Sequence, residues 1–296
     1  MVAQNVGVTY DTFSEQPYIT VAEYKAAPTA ISIDNLVVNG NQAAQDAELH
    51  NVILRASSYM DEYFNQNLVA TQNVETQRVR MTPAGYISLH PFHNPIVSLE
   101  AFEYGVNPNQ LYSFDCSQAW FEDQQVIIPM PQLLNNWTSQ GPLQFGLPPV
   151  GGQIFVKYTY VAGFVNTYIV SAVAGESEMI VANHEGIIAG SMLRIYDGAK
   201  SETVFVSDSY VYGSTTVPLT SPLLRDHAAG VATGNLPNAI KEACILITTA
   251  FLKMRGASSL SMGVTPRPQG NITNEQRFGT EIKLALDMVD KYRRIR

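Results

Sequence analysis

The stretch "GNLPNAIKEACILITTAFLKMRG" (residues 234–256) decides how this chain is assembled. Its apolar residues Ile240, Ala243, Cys244, Ile247, Ala250, Phe251 and Met254 recur at helical spacing, and Pro237 and Gly256 punctuate its two ends. A stripe of this kind needs a surface to cover it. The residues just before it are strand-like, so the partner must lie elsewhere. In "QDAELHNVILRASSYMDEYFNQ" (residues 45–66), Leu49, Val52, Ile53, Ala56, Tyr59, Met60, Tyr63 and Phe64 mark one face of a long helix. The expected core is therefore a helix pair, with Leu49, Val52, Ile53 and Ala56 against Ile240, Ala243, Cys244, Ile247 and Phe251.

Working outward, Thr20-Val21-Ala22-Glu23 has the Thr-x-x-Glu pattern of a capping box and opens a short helix that Pro28 stops. Between the two long helices, "ETQRVRMTPAGYISLHPFHNPIVSLEAFEYG" (75–105) reads as strands broken at Thr82 to Gly85 and at His90 to Pro95. "QVIIP" (125–129) and "QIFVKYTYVAGF" (153–164) add two more strands. In the second, Ile154, Val156, Tyr158 and Tyr160 alternate with Phe155, Lys157 and Thr159. Residues 166–234 lack helical periodicity and carry β-type segments separated by Gly, Asn, Asp and Ser, the pattern of a small sandwich or barrel. Because the closing helix follows this module, the module reads as an insertion at a surface loop. Ala257 to Gly279 reads as an extended arm. A last helix follows, with Ile282, Ala285, Leu286, Val289 and Tyr292 on one stripe and Leu284, Met288 and Ile295 on another.

The 296 residues are 46% hydrophobic and 15% charged, enough to bury a substantial core. No apolar run approaches the roughly 20 residues of a membrane span, and the first residues lack a basic-then-apolar signal, so a soluble, unsecreted protein is expected. The two cysteines imply no disulfide framework, and the sequons at Asn136 and Asn271 read as chance. Residues 277–296 hold six Lys/Arg against three Asp/Glu, leaving 12 against 23 in the rest. A body so acidic argues against tight wrapping of nucleic acid and suits a surface that polyanions slide past.

No catalytic constellation emerges. His90 and His93 in "LHPFHNP" supply two of the three or four ligands a metal needs, and a strand-linking loop is preferred. Asp226-His227 has no nucleophile elbow beside it. Lys200-Ser201 follows Gly198, but Ala199 stands where a phosphate loop needs its second glycine. Glu176 with Glu178, and Glu122 with Asp123, read as solvated pairs. Tyr158, Tyr160, Phe164 and Tyr168 read as a core or interface edge before a sugar platform.

Taken in order, "YITVAEYKA" (18–26), "DAELHNVILRASSYMDEYF" (46–64), "RMTPAGYISLHPFHNPIVSLEAFEYG" (80–105), "VKYTYVAGF" (156–164) and "LPNAIKEACILITTAFLKMRG" (236–256) resemble the head-to-tail connector (adaptor) family of long-tailed bacteriophages. In that family a strand ending in a Tyr-x-x-Gly-like turn leads almost directly into the Leu-Pro helix. Here Gly163 and Leu236 are separated by the β module. The resemblance implies an α+β fold: a connector domain (1–165 with 235–256), an inserted all-β domain (166–234), and an arm with a C-terminal helix (257–296).

It further implies a virion protein at the head-to-tail junction, assembled in the host cytoplasm, with neither enzymatic activity nor a cofactor. Copies form a dodecameric ring between the portal protein and a tail-side neck or tail terminator protein. DNA passes through without sequence-specific binding, as in viral genome ejection, and no membrane is involved. The surplus apolar surface of the last helix marks Ile282, Leu284, Leu286, Met288, Val289 and Tyr292, with Arg293, Arg294 and Arg296, as the portal-docking set. The alternative reading is a carbohydrate-binding tail or baseplate protein acting through the β module. A third is a hydrolase using His227 or His90 and His93.

Overall fold

The computed structural model describes residues 17–29, 31–34, 36–80, 82, 86–122, 124–129, 153–254 and 274–293, with side chains in the last stretch from Glu281 onward. The sequons at Asn136 and Asn271, the arm from 257 to 273, Asp123, Arg294, Ile295 and Arg296 fall outside these residues. The chain divides into two compact units: Ala70–Gly163, and the described parts of Phe13–Val69 and Phe164–Arg296. The expected boundaries at 165/166 and 234/235 lie inside the second unit.

Among its described residues the first unit is all β. Strands β1 (Thr71–Arg80), β7 (Gln153–Ala162), β3 (Ile96–Asn107) and β4 (Gln110–Phe114) form an antiparallel sheet in that order. A second sheet has the order β2 (Tyr86–Leu89), β6 (Gln125–Pro129), β5 (Trp120–Glu122). The alternation along β7 turns Ile154, Val156, Tyr158 and Tyr160 inward, where they share one core with Ile87, Leu89, Val126 and Ile128 of the second sheet.

In the second unit, α1 (Val21–Ala26) carries a complete capping box: Glu23 N–H donates to Thr20 Oγ1 at 3.0 Å, and Thr20 N–H donates to Glu23 Oε2 at 2.7 Å. Helix α2 (Gln42–Phe64) is capped by Asn41, whose Oδ1 accepts from Ala44 N–H at 2.9 Å. It ends at Asn65 in the left-handed region with φ 56°. Helix α3 (Asn238–Met254) packs on α2, and Leu49, Val52, Ile53, Ala56, Ile240, Ala243, Cys244 and Ile247 are buried in one core with Phe251 against it. Helix α4 (Asn274–Val289) adds Ala285 and Val289 to that core. It begins before Gly279, where the sequence reading had an arm. A mid-helix glycine costs only about 1 kcal/mol, less than docking a helix face can return.

The β module has a separate core built from Ile169, Met179, Val181, Leu193, Ile195, Val204, Val217 and Leu219 among others. Its strands run in the order β11 (Glu202–Phe205), β10 (Met192–Tyr196), β13 (Ala232–Gly234), β8 (Asn166–Ser171), β9 (Glu178–Val181), β12 (Thr216–Pro218). A bridge at Val206 and Leu219 joins the two outer strands, so the sheet closes round its core. Strands β4, β5 and β13 were not apparent in the sequence.

The module enters and leaves at one point. Asn166 and Gly234 are directly paired between β8 and β13. One residue further out, Val165 N–H donates to Asn235 Oδ1 at 2.7 Å and Asn235 N–H donates to the Val165 carbonyl at 3.0 Å. A Cβ at Gly234 would collide with that carbonyl. Gly234→Ala should therefore lower the melting temperature by several degrees, equivalent to about 1–3 kcal/mol. A wild-type melting curve would show that the junction can yield.

Candidate functional site

The sequence-derived docking set is divided by the fold. Val289 is fully buried against this chain's own helices, which corrects its assignment to a partner-facing surface. The reason is periodicity: Ala285 and Val289 are one turn apart and supply the stripe that α4 needs to dock in cis. Leu286 and Tyr292 are half-buried against the same core, and the Tyr292 ring meets Phe164 edge-on at 6.0 Å. Polar contacts fasten the helix at its middle and just past its C-terminal end. Lys253 Nζ lies 2.9 Å from Glu281 Oε1, Tyr63 Oη donates to Asp290 Oδ1 at 2.6 Å, and Gln66 Nε2 donates to the Tyr292 carbonyl at 3.1 Å.

What remains outward is a narrower surface. Leu284 is 58% exposed and Met288 41%, one turn apart, with Lys283, Lys291 and Arg293 also exposed. The Arg293 guanidinium lies 5.0 Å from the centre of the Tyr63 ring. Ile282 is half-buried and lines a groove of about 360 Å³ with Tyr59, Tyr63, Lys283, Leu286 and Asp287.

The motifs weighed for chemistry become structural parts. His227 has a fully buried side chain, with Nδ1 2.9 Å from Asp197 Oδ2 and Nε2 2.8 Å from Glu202 Oε1. Its carboxylate partners are thus distant in sequence, whereas Asp226 accepts from Ala174 N–H at 2.8 Å. Burial pushes the Glu202 carboxyl up, but hydrogen bonds from Leu224 N–H, His227 and Arg225 N–H outweigh it and hold the group below its ordinary value. The two carboxylates face opposite ring nitrogens and do not converge on one point. The arrangement clamps the 222–227 loop to β10 and β11. Lys200 ends a short 3₁₀ turn (Gly198–Lys200), and Ser201 Oγ donates back to the Gly198 carbonyl at 2.8 Å, with β11 following.

In the first unit, Glu75 is buried and its carboxylate accepts from Tyr158 Oη at 2.8 Å, from Tyr160 Oη, and from Phe92 N–H at 2.8 Å. Gln77 Nε2 donates to the His90 carbonyl at 2.8 Å and His93 N–H to Tyr160 Oη at 3.1 Å. The "LHPFHNP" loop is thereby pinned by its backbone. Tyr158 and Tyr160 belong to this core, whereas Phe164 packs on the helical core. Glu176 and Glu178 are exposed, and Glu122 accepts from Trp120 Nε1 at 3.1 Å. Burial pushes the Cys244 thiol up to about 12. Among the described residues no group of three or more His, Cys, Asp or Glu could hold a metal ion, and no helix is long and apolar enough to cross a membrane.

Lys241 was missed as a polar core residue. It is buried, with Nζ 2.6 Å from Glu23 Oε1 and 3.4 Å from the centre of the Tyr196 ring, and Tyr196 Oη donates to the Leu236 carbonyl at 3.3 Å. It links α1, α3 and the module through an ion pair and a cation–π contact.

No protein-family model and no curated protein matches the chain. Among solved structures, the chain is similar to one described as "Neck of empty GTA particle computed with C6 symmetry", with 10% identity and a TM-score of 0.37 over 94% of this chain and 90% of that one.

Proposed function

We propose that this chain is a non-enzymatic structural protein of a virion neck, whose copies close into a ring beneath the portal, extend the DNA channel and hand it on to the tail. The junction at Val165 and Asn235 carries the reading. Blocks resembling the connector family lie on either side of residues 166–234, and in that family a strand leads almost directly into the Leu-Pro helix. Here Val165 and Asn235 are hydrogen-bonded to each other in both directions. With the module taken out, "VKYTYVAGF" therefore runs on into "NLPNAIKEA" as the family pattern requires. The separate core of the module supports its standing as an inserted domain within a connector made of residues 1–165 and 235–256.

The mechanism is geometric. A heterologous contact repeated around an axis closes into a ring, here a dodecamer, and leaves one end for the portal and the other for a tail-side neck or tail terminator protein. No cofactor or membrane takes part, and DNA passes without sequence-specific recognition. In this reading Leu284 and Met288, flanked by Lys283, Lys291 and Arg293, face the portal. Leu284→Glu combined with Met288→Glu should leave folding within about 0.5 kcal/mol of wild type, because both side chains are exposed. The same variant should lose retention by immobilised portal protein and the ring seen by electron microscopy on the portal. Undiminished retention would overturn the α4 surface, and no ring on the portal with the wild-type protein would overturn the function.

A further inference from the structure

Residues 70–163 contain only three Lys or Arg against six Asp or Glu, and all three cations lie on one face of one sheet. Arg78 and Arg80 are two residues apart on β1, so they share a face at a spacing of about 6.6 Å along the strand. Lys157 on β7 is paired with Thr76, and Arg78 is paired with Phe155, so Lys157 sits diagonally beside Arg78. The intervening β7 residues Val156 and Tyr158 point into the core. Arg78, Arg80 and Lys157 are all exposed. Glu103 lies 3.8 Å from Lys157, a loose surface pair, and among the described residues neither arginine has a carboxylate partner.

The Arg78 guanidinium rests 4.6 Å from the centre of the Phe155 ring, which holds the planar group while leaving its N–H edge free to donate. Beside the cations this face carries Thr76, Gln153, Thr159 and Glu103, with Phe155 beneath Arg78 and Val74 further along β1, so its exposed charged edge stands on a mixed and not a wholly apolar surface. An edge bearing fork-shaped donors suits phosphate oxygens.

We infer that the Arg78, Arg80 and Lys157 face contacts the phosphate backbone of double-stranded DNA without reading its sequence. The inference rests on the channel reading above and deepens it: each subunit offers only a few contacts, weak alone and multiplied by the ring. An otherwise acidic surface repels DNA between these points and leaves it free to move.

The test is fluorescence anisotropy with the full-length protein and two labelled duplexes of unrelated sequence. If three phosphates are neutralised, affinity falls on the order of fortyfold between about 50 and about 200 mM salt. Arg78→Gln with Arg80→Gln should bind more weakly at low salt, and its fall over the same range should shrink to about threefold to fourfold. Lys157→Gln alone should reduce the salt slope by about one, which keeps the test alive should the double variant misfold. Both duplexes should bind alike. Absence of wild-type binding at low salt, an unchanged slope in the variants, or preference for one sequence would overturn the inference. So would salt-sensitive self-association abolished by the same substitutions without DNA binding, which would assign the face to a second copy. Salt-steep binding without a ring on the portal keeps this inference and removes the reading beneath it, whereas a ring without DNA binding does the reverse.

Discussion

Ile247→Asp, and independently Ala56→Asp, should leave no folded helical core. Both side chains are fully buried where α2 meets α3, among Leu49, Val52, Ile53, Ile240, Ala243 and Cys244. The neighbours in that cluster are apolar, and the buried cation of α3, Lys241, is already paired with Glu23, so a new carboxylate would be buried without a free partner. Such a group costs several kcal/mol whether it stays ionised or takes up a proton, comparable to the roughly 5–15 kcal/mol that hold a domain together. The expected outcome is insoluble protein, or soluble protein that has lost its helical circular dichroism and cooperative melting. The module has its own core, so strand signal from residues 166–234 can outlast the helices. Wild-type solubility and melting in either variant would show that this contact does not organise the core.

Asp61→Asn should stabilise the protein strongly at pH 8 and hardly at all at pH 4. Asp61 is buried on α2, and burial pushes its carboxyl up to about 7 despite the hydrogen bond it accepts from Tyr18 Oη. A folded-state value above the unfolded one means the native state holds the proton more tightly. The contribution to stability is then fully present below the unfolded value of 3.8 and is lost as pH rises through about 7. At pH 8 the wild type carries a penalty on the order of 4 kcal/mol from this carboxylate, at about 1.36 kcal/mol per unit. The amide still accepts from Tyr18 and never ionises. Denaturant melts at the two pH values test this. A variant destabilised equally at both would show that Asp61 is held as a carboxylate by its surroundings.

The two long helices were legible because their partners recur at a single period, and the capping box because its two residues are neighbours along the chain. The alternation of β7 was legible for the same reason. Contacts set by strand register were not. Tyr158 and Tyr160 reach Glu75 only because β1 and β7 pair antiparallel, and His227 meets Asp197 and Glu202 across 30 and 25 residues of chain. Asp226, adjacent to His227, was the natural sequence partner and points elsewhere. The last helix shows a different failure. Its two apolar stripes were visible, but which one the chain keeps for itself depends on the shape left by α2 and α3. The short strands β4, β5 and β13 have too few residues for any period to register.

The stalk at Asn166 and Gly234 has a consequence for how such a chain can change over time. If residues 166–234 are an inserted domain, as proposed above, a segment whose two ends are already paired is spliced in or out by a single event, with no rethreading and no gap to close. Val165 and Asn235 bond to each other directly, but exchange of the residues between them would also remove the Tyr196 ring from Lys241 and the hydrogen bond from Asn166 to the Pro17 carbonyl. On the proposed reading, what occupies that slot is a cassette. Its outward surface is then free to diversify, while Tyr196 and Asn166, which touch the helical part, stay under the constraints of that contact.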